Sequence, residues 1–164
     1  MSIDELIDKA RNGGGGYLNA TNLYALVGDP TTDEIFVLNL NHFFSDNFRH
    51  FLKDEYTSLI LLGAYNNEQN ARDSIQSVRD ANQLSSTGLI AYPDWYVLVA
   101  DIDQNNLFTL PLMEYYIGYM TMFQYRAEAS NGKVVLNIFG SEEAAEETSE
   151  IIRMYIKDEK GNIL

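Results

Sequence analysis

The amino-acid sequence predicts one α+β domain over residues 1–164, in which a mixed or antiparallel sheet of five or six strands packs with about five helices. The length suits a single domain that is large enough to bury a core. Hydrophobic residues make up 46% of the chain and there are 3 prolines, a composition that excludes a mainly disordered acidic tail. Short apolar runs alternate with segments that begin with helix-capping residues, as in mixed α and β structure.

The N-terminal segment is predicted to be a short helix followed by a linker. Ser2-Ile3-Asp4-Glu5 has the pattern of a capping box, in which the serine and glutamate satisfy free amides at a helix start. Gly13 to Gly16 end this helix, because glycine adopts the positive φ of a C-cap and has no side chain to pack. Residues 12–16 are therefore expected to form a flexible linker.

A β-hairpin, a short helix and a buried strand are predicted next. Leu23–Val27 and Glu34–Leu40 are β-rich runs on either side of a Pro/Gly/Asp cluster, which indicates a hairpin. Ser45-Asp46 is a favourable N-cap for a short helix. Leu59–Leu62 is continuously apolar, which is typical of a strand covered on both faces.

The middle of the chain is predicted to form a polar helix and a second pair of strands. Asn66 can cap a helix that reaches about Leu84. Ser85–Gly88 then breaks the chain without marking a domain boundary, since both flanks are expected to contribute to the same sheet. Trp95–Ala100 is a strong strand pattern, and a turn over Asp103–Asn106 leads to a strand at Leu107–Thr109.

The helix from Pro111 to about Glu128 carries aromatic residues and methionines on every face. A helix that is apolar all round is either buried on all sides or meets a partner on one side. The first interpretation makes it the central core helix. The second makes Tyr115, Tyr119 and Met122 partner-binding residues, because tyrosine and methionine are favoured in interfaces.

A last strand and helix complete the chain. Val134–Phe139 follows a tight turn at Asn131-Gly132, and Ser141 caps a helix that ends near Gly161. A strand, a capping residue and a helix thus recur three times along the chain. The side chains of the three segments match too weakly to predict a duplication.

Acidic residues dominate the charge of the protein. There are 24 Asp and Glu against 11 Lys and Arg, so the net charge is -13. This balance disfavours direct nucleic-acid binding, which requires a positive surface. The densest acidic run lies in the first half of the last helix. It is either a solvated face that stabilises the helix through its dipole or a ridge that binds a basic partner. Its members are Glu142, Glu143, Glu146, Glu147 and Glu150.

Cofactor and metal sites are not expected. The chain has no cysteine, which excludes disulfides and thiolate sites. Asp101, Asp103 and Asn105 place oxygens at alternate positions, as the start of an EF-hand loop does, but the glycine and the glutamate that this loop needs further on are missing. An Asx-rich hairpin turn explains the same residues. Two histidines and a carboxylate spaced four residues apart form a second incomplete metal set: His42, Asp46 and His50.

The N-terminus is acidic and has neither a basic nor an apolar signal region, so a cytoplasmic protein is the expectation. The longest apolar stretch, Leu107 to Tyr125, contains Glu114, which a bilayer span tolerates poorly.

Residues 23–53, a predicted hairpin followed by Phe48-Arg49-His50-Phe51-Leu52, resemble the end of the SUKH-type immunity proteins, in which a strand leads to a short aromatic helix. The resemblance covers only this segment and lacks the Gly/Trp-rich core signature of that family, so it implies no function here.

The acid excess and the absence of a catalytic motif together favour a non-enzymatic binding or inhibitor protein. Its expected partner is a basic protein, as for an immunity protein or a phage-type inhibitor that mimics nucleic-acid charge. Two alternatives are a small carboxylate-based, metal-dependent enzyme or ligand-binding domain, and a structural subunit that forms a homodimer through the aromatic helix.

Overall fold

The computed structural model describes residues 20–125 and 132–159, and their strands and helices follow the order ββαβα twice. The first unit contains β1 (Tyr24–Asp29), β2 (Glu34–Asn39), α1 (Leu40–Lys53), β3 (Ile60–Tyr65) and α2 (Glu68–Ala81). The second contains β4 (Tyr96–Asp101), β5 (Asn106–Pro111), α3 (Leu112–Gln124), β6 (Lys133–Phe139) and α4 (Glu142–Glu159). The α+β class is confirmed. The predicted first helix, the 12–16 linker and Asn131 lie outside the described residues.

The strands form two antiparallel sheets of three strands, with the orders β2-β1-β3 and β5-β4-β6. The prediction of one sheet with five or six strands is therefore wrong. The described residues form four helices, and the fifth predicted helix, at the N-terminus, lies outside them. The outer edge of β3 pairs with the short segment at Leu89 and Ile90 and not with a strand of the second sheet. The Ile90 amide donates to the Ala64 carbonyl over 2.8 Å, and Leu89 bridges to Tyr65.

The two units match each other strand by strand. The sequence of β1 is Tyr-Ala-Leu-Val-Gly-Asp and that of β4 is Tyr-Val-Leu-Val-Ala-Asp. The pairing of β1 with β3 shifts register after Leu26, and the pairing of β4 with β6 shifts after Leu98, which is the same residue of the motif. Each hairpin also has one residue in the left-handed region just before its second strand, Asp33 with φ 62° and Asn105 with φ 50°.

The helices match as well, because buried residues occupy equivalent positions in each pair. In α1 the buried residues are Leu40, Phe43, Phe44, Asn47, Phe48 and Phe51, and in α3 they are Leu112, Tyr115, Tyr116, Tyr119, Met120 and Phe123. In α2 the buried Ala71, Ser74 and Val78 correspond to the buried Ala145, Thr148 and Ile152 of α4. The fold therefore consists of two ββαβα units with one pattern of burial.

The two units exchange their middle helices. Helix α1 packs mainly against β6 of the second unit, and α3 packs mainly against β3 of the first. Asn47 donates through its side-chain amide to the Val135 carbonyl over 2.9 Å, and the Tyr115 hydroxyl donates to the Leu61 carbonyl over 2.8 Å. Helix α2 packs against the sheet of its own unit, and so does α4. Each unit thus uses a helix of the other to complete its core.

Helix boundaries differ from the predictions at several ends. Helix α1 begins at Leu40 rather than at Ser45, because the Asn39 side chain accepts a hydrogen bond from the His42 amide and caps the helix earlier. Helix α2 is capped by Asn67 and not by Asn66. The predicted cap of α4 is confirmed, since the Ser141 hydroxyl accepts from the Ala144 amide over 3.1 Å.

Candidate functional site

The acidic run on α4 forms an exposed surface, which we call the acidic ridge. Its five members are exposed, while the intervening residues of the helix point into the protein. The ridge comprises Glu142, Glu143, Glu146, Glu147 and Glu150. The intervening Ala144, Ala145, Thr148 and Ser149 are buried against the second sheet. The sequence prediction of an acidic outer face is therefore matched by the structure, although the position of the residues does not test what they bind.

Three members of the acidic ridge have neighbours on the protein surface. Glu142 accepts a hydrogen bond from Tyr96, which raises the pKa of that hydroxyl. Glu146 accepts from the Thr109 hydroxyl over 2.6 Å, and Glu150 pairs with Arg153 over 3.1 Å. The ridge still places like charges one turn apart on a helix, which destabilises it by about 0.2–0.5 kcal/mol per pair.

Helix α2 occupies the place in the first unit that α4 occupies in the second, and its outer face carries much less negative charge. The residues equivalent to the ridge glutamates are Glu68, Gln69, Arg72, Asp73 and Gln76. Arg72 pairs with Glu68 over 3.2 Å, and Gln69 donates to Asp73 over 2.7 Å. The same helix position in the same fold is thus built with two acidic residues and one basic residue in place of five glutamates. Five glutamates on α4 exceed what this position requires.

The structure places two of the predicted partner-binding tyrosines in the core. Tyr115 is 0% exposed and Tyr119 is 7% exposed, and their rings stack with centroids 4.1 Å apart. Burial raises the pKa of Tyr115 well above its ordinary value and raises the pKa of Tyr119 to about 12. Met122 is half-buried. These tyrosines are enclosed by the opposing sheet and are not available to a partner, which corrects that part of the prediction.

The exposed side of α3 is formed by other residues, which we call the α3 face: Met113, Ile117, Thr121 and Tyr125. Ile117 is 71% exposed and Tyr125 is 79% exposed. Sequence reasoning missed this face, because a helix that is apolar all round carries no signal for which side meets solvent. The equivalent positions of α1 are polar: Asn41, Ser45, Arg49 and Lys53.

A groove of about 400 Å³ runs beside the α3 face. Its walls are α3 on one side and the segment after α2 on the other, with Leu84 and Leu89 as apolar contacts. Tyr116 and Met120 lie at its base. The groove therefore extends the α3 face into a concave, largely apolar surface.

The α3 face and the acidic ridge meet near Tyr96. Glu142, at the start of α4, hydrogen-bonds to its hydroxyl, and the carboxylates of Glu114 and Asp94 are close enough to raise the pKa of Tyr96 further. Glu114 directly follows Met113 of the α3 face. Negative charge thus continues from the ridge to the beginning of the apolar face.

The hairpin that carries the incomplete EF-hand pattern is held by its own contacts. Asp101 accepts from the Gln104 amide over 3.2 Å and lies 3.8 Å from the Lys133 ammonium. Asp103 accepts from the Tyr56 hydroxyl, and Asn105 supplies the left-handed turn residue. Asp29 accepts from the Thr31 amide in the corresponding hairpin of the first unit. The bonds of Asp101 to Gln104 and of Asp29 to Thr31 are those of an Asx turn, whereas Lys133 and Tyr56 contact the carboxylates from outside the hairpin.

The second predicted metal set lies along α1. Because α1 begins at Leu40, His42 falls within the helix, contrary to the prediction that it precedes the helix. Asp46 lies 3.7 Å from Arg49, and His50 lies 3.7 Å from Glu55. Among residues 20–125 and 132–159, no three side chains of His, Cys, Asp or Glu come together in a group that could hold a metal ion.

Comparisons with known proteins return no relative. No model of a known protein family matches the chain, and neither a curated protein nor a solved structure is significantly similar to it. In the described part of the chain, every helix is too short or too polar to cross a bilayer.

Proposed function

We propose that this protein is a non-enzymatic binding protein that engages a basic protein partner through the acidic ridge of α4. The observation that carries the proposal is the difference between α2 and α4. The two helices do the same structural work on equivalent sheets, yet only α4 concentrates glutamates on its outer face. Acidic residues in the first turn stabilise a helix, but repulsion between the ridge glutamates opposes this effect, so folding alone does not call for five glutamates at this position.

The electrostatics of the whole chain support the same partner chemistry. A surface with a net charge of -13 attracts a basic protein over a distance of about one Debye length and repels other acidic proteins. The acidic ridge on α4 is then the specific surface that the attracted partner contacts. A protein of this kind neutralises its partner by covering a basic surface, which is how immunity proteins and charge-mimicking inhibitors act.

The experiment compares two double variants that remove equal charge from different places. Glu143→Gln with Glu147→Gln lowers the charge of the ridge. Glu34→Gln with Asp73→Asn removes exposed acids from the first unit, where Asp73 is equivalent to Glu147. The probe is an arginine-rich peptide with a fluorescent label, and its affinity is measured by anisotropy at about 0.01 M and about 0.15 M ionic strength.

The ridge variant is expected to bind the peptide about threefold more weakly or worse at low salt, and the control variant to bind it almost as well as the wild type. Equal losses in the two variants would mean that the charge acts diffusely and would overturn the assignment to the ridge. Thermal unfolding of each variant checks the fold. The ridge variant is expected to stay within about 1 kcal/mol of the wild type, because the repulsion it loses and the helix-dipole interaction of Glu143 that it also loses oppose each other.

A further inference from the structure

Three of the four residues of the α3 face are apolar or aromatic, and they stand at positions where the fold itself does not demand such residues. Helices α1 and α3 have equivalent buried residues, and each packs against the sheet of the other unit. At the position of the 71%-exposed Ile117, α1 carries Ser45, and at the position of Met113 it carries Asn41. A polar side chain is therefore compatible with this scaffold at both sites. The apolar side chains of α3 indicate that something covers them.

The shape of the surface suits an elongated segment of a partner. The groove beside α3 has a volume of about 400 Å³, and Leu84 and Leu89 form its second wall. Gly118 leaves open space on the exposed side of α3, since a Cβ built there meets no atom within 4 Å. An amphipathic helix binds to a surface of this kind by placing its apolar side chains in the groove.

The charges beside the groove, at the start of α3, determine which segment fits. Glu114 lies in the first turn of α3. Asp94 is nearby, because the Leu112 amide donates to the Trp95 carbonyl over 2.8 Å. Tyr96, which pairs with Pro111, hydrogen-bonds to Glu142, and both of the other carboxylates raise the pKa of its hydroxyl. A second copy of this chain would bring two such acidic groups, and two chains of charge -13, against each other. A segment with lysines or arginines beside its apolar residues would instead bring opposite charges together.

We propose that the α3 face and its groove bind a basic amphipathic helix of the partner protein, with its apolar side on Met113 and Ile117 and its cationic residues toward Glu114 and Asp94. The inference rests on the proposed function, because it names the segment by which a basic partner would be recognised. It also adds a requirement that the acidic ridge alone does not impose, namely that the partner must present apolar side chains.

Two synthetic peptides of leucine and lysine test the proposal. One has its leucines on a single helical face, and the other has the same composition in scrambled order. The wild-type chain is expected to bind the amphipathic peptide about tenfold more tightly than the scrambled one, because burial of apolar side chains adds to the attraction of the charges. Equal affinities for the two peptides would overturn the proposal.

Substitutions taken from α1 locate the binding surface. Met113→Asn with Ile117→Ser gives α3 the residues that α1 carries at these positions, and it is expected to remove the preference for the amphipathic peptide. Tyr56→Ser removes a 61%-exposed aromatic residue near the Asp103 turn and serves as the control. A preference that persists in the α3 variant would also overturn the proposal. Circular dichroism of both variants confirms that the fold is intact.

The two proposals fail in different ways. If the Glu143/Glu147 variant loses affinity for the arginine-rich peptide while the Met113/Ile117 variant keeps its preference for the amphipathic peptide, the ridge is supported as a binding site and the groove is rejected. If the Glu143/Glu147 variant keeps its affinity and the Met113/Ile117 variant loses its preference, the groove is supported and the ridge is rejected. A second copy of the chain is the other possible occupant of the α3 face, and sedimentation of the peptide-free protein tests for it. A dimer that Ile117→Ser dissociates would assign the α3 face to this second copy and overturn the proposal.

Discussion

Tyr116 joins the two units through a hydroxyl that both donates and accepts a hydrogen bond inside the protein. It donates to the Ile90 carbonyl over 2.6 Å and accepts from the Ala64 amide over 3.2 Å. Tyr116→Phe keeps the ring and removes both hydrogen bonds. Loss of the bond to Ile90 costs about 1 kcal/mol, and the buried Ala64 amide, left without the hydroxyl, costs about 1–3 kcal/mol. We expect the free energy of unfolding to fall by about 2–4 kcal/mol and Tm by about 5–15 °C.

Urea unfolding followed by circular dichroism measures this loss. Tyr119→Phe is the matched control, because it removes a hydroxyl from the same helix, and its hydroxyl makes no hydrogen bond to another described residue. The control is expected to stay within about 0.5 kcal/mol of the wild type. If Tyr116→Phe were as stable as the control, the two hydrogen bonds at the edge of β3 would not hold the units together.

Two further predictions concern the core. A Cβ at Gly28 would lie 2.7 Å from the Phe123 ring, so Gly28→Ala is expected to lower the free energy of unfolding by about 1–3 kcal/mol, and Phe123→Leu to relieve part of the loss. Urea unfolding of the single and double variants measures these changes. If the double variant were as unstable as Gly28→Ala alone, the predicted contact with the Phe123 ring would be contradicted. Burial raises the pKa of Tyr65 and Tyr119 to about 12. Their neutral forms therefore stabilise the fold fully below about pH 10, and this stabilisation declines as the pH rises toward about 12. Equal midpoints of urea unfolding at about pH 8 and about pH 11 would contradict the prediction that the protein loses stability over this range.

The predicted class and the location of most strands were accessible from the sequence because apolar runs and turn residues mark them locally. Leu59–Leu62 was predicted as a buried strand, and Ile60–Tyr65 is buried throughout. The division into two sheets was not accessible. Strand periodicity shows which face is buried but not which strand lies alongside, and the helix exchange that separates the sheets depends on contacts between distant residues such as Asn47 and Val135.

The duplication escaped sequence analysis because equivalent positions share burial rather than identity. Phe43 and Phe44 of α1 correspond to Tyr115 and Tyr116 of α3, and the cap Asn39 corresponds to Pro111. A search for a repeated capping residue before each helix therefore finds three segments and omits α3. Once the strand order is known, the shared Tyr, Leu, Val and Asp of β1 and β4 can be recognised as equivalent.

The candidate site was predicted in part, for a related reason. Charged side chains are almost always exposed to solvent, so the acidic ridge could be placed on the surface from its residue types alone. Tyrosine is compatible with both the core and an interface, and only the three-dimensional structure, through the full burial of Tyr115 and its hydrogen bond to the Leu61 carbonyl, assigns it to the core. Ile117 was one apolar residue among many in α3, and no property of its neighbours identified it as the exposed one.

The covalent linkage of two like units has a consequence for stoichiometry. A symmetric dimer of one ββαβα unit would display every outer surface twice. In residues 20–125 and 132–159, α2 differs from α4 in charge, and α1 differs from α3 on its outer side, so the acidic ridge and the α3 face each occur once there. We therefore expect a partner that recognises either of these surfaces to bind one molecule per chain and not to be crosslinked through it.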